Sequence, residues 1–193
     1  MRELQRRIGA DGKASLAFTA AGDRPAFFTA RLEVERPAAG QPAVSHGIAV
    51  TRRYEVRRGA TWVPVTSVAA GDVVRVTLTL RSEQSRSLVA LSDPLPAGFE
   101  ALDPDLSSVP EALRTETGRW SWWGRVFDHV QRRDGRIDAF ATMLPAHETT
   151  FEYHVRATTA GTFFAAPPHA GQMYEPEVYG RGTGETIVVR PGP

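Results

Sequence analysis

The sequence predicts an all-β fold: an antiparallel β-sandwich of about seven or eight strands with one short inserted helix. Three observations lead there. From residue 48 onward apolar side chains recur at every second position, which puts one face of a strand in a core and the other in water. Turn-forming clusters interrupt these runs roughly every ten residues. Only one stretch carries helix-start signals.

The first 45 residues read apart from the rest. "KASLAFTA" and "FFTARLEVER" suggest two or three strands, and "PAAGQPAV" a linker. So few strands cannot cover their own apolar face. Residues 1–45 are therefore expected to be the trailing part of a preceding domain plus a linker, the other reading being strands added to the main sandwich. Residues 46–193 form the sandwich. Within it, Val74, Val76, Leu78 and Leu80 alternate with Arg75, Thr77 and Thr79. Phe151, Tyr153, Val155 and Ala157 alternate with Glu152, His154 and Arg156, while Ile137, Ala139, Ala141 and Met143 repeat the period, as do Ile187 and Val189. Ala70-Gly71-Asp72, Pro94 to Gly98, Arg133-Asp134-Gly135, Ala160-Gly161 and Gly180 to Gly184 supply the turns. In "DPDLSSVPEALRTET", Ser107 or Ser108 serves as a cap and Pro110 occupies the first turn of the expected helix.

Bulk composition narrows the function. Hydrophobic residues at 41% and charged residues at 23% describe a globular chain, and a net charge of +1 gives no electrostatic basis for nucleic acid or an acidic membrane as partner. The absence of cysteine excludes disulfides, thiolate metal sites and cysteine nucleophiles within these 193 residues. "MRELQRRIGA" lacks the apolar core of a signal peptide, and no apolar run is long enough to span a bilayer. If the protein works outside the cytoplasm, its export signal is expected on sequence beyond this chain.

Catalytic and cofactor signals are weak. His46, His129, His147, His154 and His169 show no metal-ligand spacing. His154 is expected on the wet face of its strand, and His169 in a proline-rich loop. Asp128-His129 with Ser92 or Ser121 lacks a Gly-x-Ser-x-Gly elbow, and "GRGTGE" opens a strand where a phosphate loop would precede a helix. No cofactor is expected, nor enzyme activity. "RWSWWGR" holds Trp120, Trp122 and Trp123, which either fill a core or domain contact or form a sugar platform. A carbohydrate-binding or adhesin-like sandwich is therefore the alternative function.

Three segments carry a family resemblance. "DPLPAGFEALDP" (Asp93–Pro104), "RRDGRIDAFATMLPAHETTFEYHVRATTAGTFFAAPP" (Arg132–Pro168) and "MYEPEVYGR" (Met173–Arg181) together resemble the C-terminal macroglobulin-like domain of bacterial alpha-2-macroglobulins. One departure is local: Gly135 stands in Arg133-Asp134-Gly135-Arg136-Ile137 where the family usually has a second aspartate. A second is larger, since the family's thioester needs a Cys-x-Glu-Gln motif and Glu83-Gln84 has no cysteine near it. This chain is thus expected to be the C-terminal piece of such an inhibitor, or to come from a lineage without the thioester.

The resemblance implies a periplasmic endopeptidase inhibitor. Its partners would be the thioester domain and neighbouring domains of the same polypeptide, together with the proteases it traps. It also implies that the last domain contributes a tyrosine that keeps water from the thioester, a role that falls to Tyr174. Met173 would add a deformable apolar contact, and Glu175, preceding Pro176, an extended backbone that stiffens the segment. Tyr179 is expected to pack on its own sandwich.

Overall fold

The computed structural model describes residues 39–103 and 126–192 continuously, and residues 15, 17, 19, 27 and 29–31 before them. The expected helix near 107–113 and the Trp120–Trp122–Trp123 cluster lie outside the described residues, as does most of the region before residue 39. The chain divides into two compact units, Met1–Glu35 and Arg36–Pro193.

The described residues of the second unit are all-β and sandwich-like, as alternation predicts. Its strands are β1 (Val44–His46), β2 (Ala49–Arg58), β3 (Thr61–Pro64), β4 (Ser67–Ala69), β5 (Val73–Arg81), β6 (Arg86–Pro94) and β7 (Phe99–Ala101). They continue as β8 (His129–Arg133), β9 (Arg136–Leu144), β10 (Glu148–Ala157), β11 (Gly161–Ala165), β12 (His169–Gln172), β13 (Tyr179–Arg181) and β14 (Glu185–Arg190). Fourteen strands among the described residues exceed the seven or eight expected because several span only three or four residues, too short to show a period. They form a six-stranded sheet β1-β13-β12-β6-β9-β8, a five-stranded sheet β3-β2-β5-β10-β7 and a three-stranded sheet β11-β14-β4. Among the described residues every strand pairs antiparallel except β14 with β4, and a single parallel bridge joins Gly47 to Tyr179.

β5 shows why the five-stranded sheet forms. Val74, Val76, Leu78 and Leu80 are fully buried, each contributing about 1.5–3 kcal/mol of transfer free energy. On one side β10 sets Tyr153 and Phe151 against Val76 and Leu78, and on the other β2 sets Val50 and Tyr54 against Leu80 and Val76. The opposite face is not wet throughout. Thr77 and His154 are buried there, because β3 brings Trp62 over the sheet with its ring 5.6 Å from His154 and 4.6 Å from the Arg75 guanidinium carbon. Glu55 lies buried in the same layer, held by Arg75 at 2.8 Å and by the Thr77 hydroxyl at 3.0 Å. His154 thus departs from its expected surface position: a hairpin supplied by a neighbouring strand covers a face that local alternation reads as solvent. His169 departs too, being the exposed first residue of β12 paired with Ser92 and Arg181.

Met143 is the informative exception in β9. Ile137, Ala139 and Ala141 are buried as predicted, but Met143 is 55% exposed and Leu144 is buried instead. Across the ladder on β6, Leu88 has φ +50°, a left-handed backbone that costs a non-glycine residue roughly 1–2 kcal/mol. The β6–β9 ladder omits the Leu88–Thr142 pair without changing register, with Ser87 opposite Met143 and Val89 opposite Ala141. Beyond Ala141 the buried position on β9 passes from Met143 to Leu144. Thr142 then donates its backbone N–H to the Asp128 carboxylate at 2.7 Å.

That bond holds the Asp128 carboxyl below the ordinary aspartate range. Asp138 also titrates low: burial alone would raise it, but the Ser92 hydroxyl, Arg136 and Arg133 outweigh burial. A carboxyl depressed in the folded state stabilises above its unfolded pKa, and that stabilisation disappears as pH falls through the folded value. The urea midpoint is therefore expected to drop as pH falls through and below the ordinary aspartate pKa of about 3.9. Asp128→Asn should flatten part of that slope, and an unchanged slope would remove Asp128 from the account.

Candidate functional site

The segment Met173–Val178 joins β12 to β13, and these strands pair with each other in the interior of the six-stranded sheet. The hairpin closes by the Gln172 N–H donating to the Val178 carbonyl at 3.0 Å and the Val178 N–H donating to the Glu175 carbonyl at 2.9 Å. Pro176 fits the second position of that tight turn, where its fixed φ is pre-set. The tip is also tied sideways to β6. The Met173 N–H donates to the Leu88 carbonyl at 2.9 Å, and the Gln172 amide nitrogen to the Ser87 carbonyl at 3.2 Å.

On this anchored backbone Tyr174 is 79% exposed, Met173 is 54% exposed, and Glu175 and Glu177 are exposed. Tyr179 behaves differently. It sits in β13 with its ring 4.8 Å from that of His46, so it packs within its own sheet. Of the sequence-selected residues, Met173, Tyr174 and Glu175 are brought together on one tip. The exposure of Leu88 and Met143 was missed. Their only sequence signal is the adjacent apolar pair Leu88-Val89, which breaks strict alternation.

β13 reaches its place because Gly180 carries no side chain. A Cβ there would lie 2.0 Å from the Ile48 carbonyl oxygen and 2.8 Å from its carbon. The tip therefore depends on a close approach between β13 and the chain leading into β2.

A second cluster, internal except for the partly exposed Glu185, holds the sheets together. Arg52 on β2 meets the Asp93 carboxylate of β6 at 2.5 Å and Glu185 of β14 at 3.1 Å, and donates to the Ala165 carbonyl of β11 at 3.2 Å. The Tyr153 hydroxyl of β10 donates to the other Asp93 oxygen at 2.6 Å. The Arg52 and Asp93 side chains are both buried. Burial pushes the Asp93 carboxyl up, while Arg52 and the Tyr153 hydroxyl pull it down. Burial, together with the nearby Asp93 charge, raises the Tyr153 phenol well above its usual range. Every member is spent on another, so the cluster is structural. Among the described residues no group of His, Asp and Glu could hold a metal ion.

Comparison with known proteins places the fold. The family described as Bacterial Alpha-2-macroglobulin MG10 domain matches residues 47–177, from the turn before β2 into the tip. The chain belongs to that family. An alpha-2-macroglobulin from Rickettsia conorii is 31% identical over 145 residues, covering 74% of this chain and 7% of the relative. Circularly permutated Ras protein 2 of Dictyostelium discoideum is 28% identical over 125 residues, covering 65% of this chain and 3% of that protein. Native Escherichia coli alpha-2-macroglobulin, solved from domain MG7 to the C-terminus, superposes with a TM-score of 0.65 at 22% identity, over 80% of this chain and 25% of that one. The chain thus spans less than a tenth of the curated relatives named here. This macroglobulin domain carries Gly135 in a two-residue turn where a Cβ would meet nothing within 4 Å. The departure from the usual aspartate there alters no packing.

Proposed function

We propose that this chain is the C-terminal region of a bacterial alpha-2-macroglobulin-type endopeptidase inhibitor, working in the periplasm and having no catalytic activity of its own. Residues 1–45 are the trailing strands and linker of the preceding domain. Residues 46–193 dock on the thioester domain and shield its reactive bond until a protease cuts the bait segment. The observation that carries this reading is Tyr174: a large, 79% exposed ring on a tip braced by β6 and β13, in a chain of the alpha-2-macroglobulin family. A phenol excludes water from an acyl carbon while its hydroxyl still finds a hydrogen-bond partner. A tip already ordered before docking loses little entropy on binding. Met173 flanks the ring with apolar contact, and Glu175 accepts the hydrogen bond that closes the turn.

The test is Tyr174→Ala and Tyr174→Phe in the full-length inhibitor, following loss of the thioester to methylamine. Alanine is expected to speed that loss about tenfold, equivalent to about 1.4 kcal/mol of shielding. Phenylalanine should fall between, keeping the ring and losing the hydroxyl. An alanine variant as slow as the wild type would end Tyr174's assignment as the cover.

A further inference from the structure

One buried polar atom beside the Arg52–Asp93–Glu185 cluster is left over by the hydrogen bonding. Tyr54 on β2 is 2% exposed, and its hydroxyl meets no hydrogen-bonding group among the described residues. A buried hydroxyl without a partner carries its full desolvation cost, which is why the large majority are paired. Its neighbours fix where it lies. Tyr54 and Tyr153 both stand opposite Val76, one on each side of β5, so their side chains enter the core from the same face of the sheet. Tyr153 reaches Asp93 with its hydroxyl, whereas the Tyr54 ring lies 5.1 Å from the Arg52 guanidinium carbon and 6.2 Å from the Phe99 ring. Burial pushes the Tyr54 phenol well up, and the charges of Arg52, Asp93 and Glu185 all act on it. It therefore keeps its proton and remains a donor.

We infer that Tyr54 and the neighbouring carboxylates form a binding site for a single buried water molecule, which accepts the Tyr54 O–H and donates to Asp93 and Glu185. Three observations select water. Two carboxylates face one guanidinium here, which leaves hydrogen-bond acceptors in excess. A carboxylate offers about four acceptor positions, and Asp93 receives one bond from Arg52 on one oxygen and one from Tyr153 on the other. The occupant must therefore accept once and donate onward, which water does while finding the two to four polar partners that a buried water needs. The Glu185 side chain is 34% exposed, so the site opens toward solvent past it. The water would tie β2 to β6 and β14 a second time, beside the Arg52 contacts. This inference is independent of the docking function.

High-resolution crystallography of the 193-residue chain and thermal melts of Tyr54→Phe test it together. The map is expected to show one ordered solvent atom at about 2.5–3.0 Å from both Tyr54 Oη and a carboxylate oxygen of Asp93 or Glu185. The same atom should be lost in Tyr54→Phe. Phenylalanine keeps the ring and its contacts with Arg52 and Phe99, so the substitution removes the hydroxyl alone. Its Tm should fall by about 2–4 °C, the loss of one hydrogen bond in a chain of this size. An unchanged or raised Tm would mean that the hydroxyl has no partner to lose, and would overturn the inference. A Tyr54 hydroxyl bonded directly to a protein group in the map would overturn it as well. A peak that gains anomalous signal after soaking in rubidium chloride would make the occupant a monovalent cation, with the same consequence. The methylamine test of Tyr174 is unaffected by any of these results.

Discussion

Arg52→Met is expected to lower the free energy of unfolding by about 3–5 kcal/mol, the cost of leaving a buried charge unpaired. Arg52 binds Asp93, Glu185 and the Ala165 carbonyl at once, so its loss unties β2 from β6, β11 and β14. Methionine restores most of the volume, which confines the effect to charge and hydrogen bonding. Asp93 would keep only the Tyr153 hydroxyl as partner, and its carboxyl, no longer drawn down by Arg52, would rise further. A carboxyl that is neutral in the folded state favours folding at low pH and opposes it as pH climbs through its folded value. The deficit of Arg52→Met relative to wild type should therefore shrink from about pH 7 toward about pH 4. Adding Asp93→Leu should recover part of the loss at neutral pH, because replacing both partners removes the stranded charge. Urea unfolding at several pH values measures all three. A deficit that stays constant with pH would mean that Asp93 does not carry the buried charge.

Gly180→Ala is expected to cost about 3 kcal/mol or more, at the upper end of overpacking losses, or to prevent folding. The new methyl would sit 2.0 Å from the Ile48 carbonyl oxygen, and the obstacle is backbone, which has no rotamer to change. Relief requires moving β13 away from Ile48, which pulls on its pairing with β1 and β12 and thus on the Tyr174 tip. Gly135→Ala is the matched control. Its Cβ meets nothing, and Gly135 has no positive φ, so it should change stability by less than about 0.5 kcal/mol. Thermal melts of the two variants compare them directly. Equal losses would show that the close approach at Gly180 is not what limits the site.

The parts readable in advance share a feature: their physics is local. The two-residue period of β5 and β10 reports burial because each side chain's fate follows from the pleat. The extended backbone expected at Glu175 likewise rests on a local rule, the restriction that proline places on the residue before it. One misreading arose where a distant segment intervened. His154 alternates as a surface residue, yet β3 carries Trp62 over it. Met143 continues its own strand's period, yet it is 55% exposed and Leu144 takes the buried place.

Strand alternation and turn chemistry, both encoded over a few neighbouring residues, were enough to specify an antiparallel β-fold with a stiff, tyrosine-bearing loop. Which strands are neighbours, and that Arg52 and Asp93 meet 41 residues apart in the chain, were settled only in three dimensions. The physical reason is that sheet pairing is non-local. A strand's own sequence says which of its faces is apolar, while the identity of what covers that face belongs to the strand that arrives beside it.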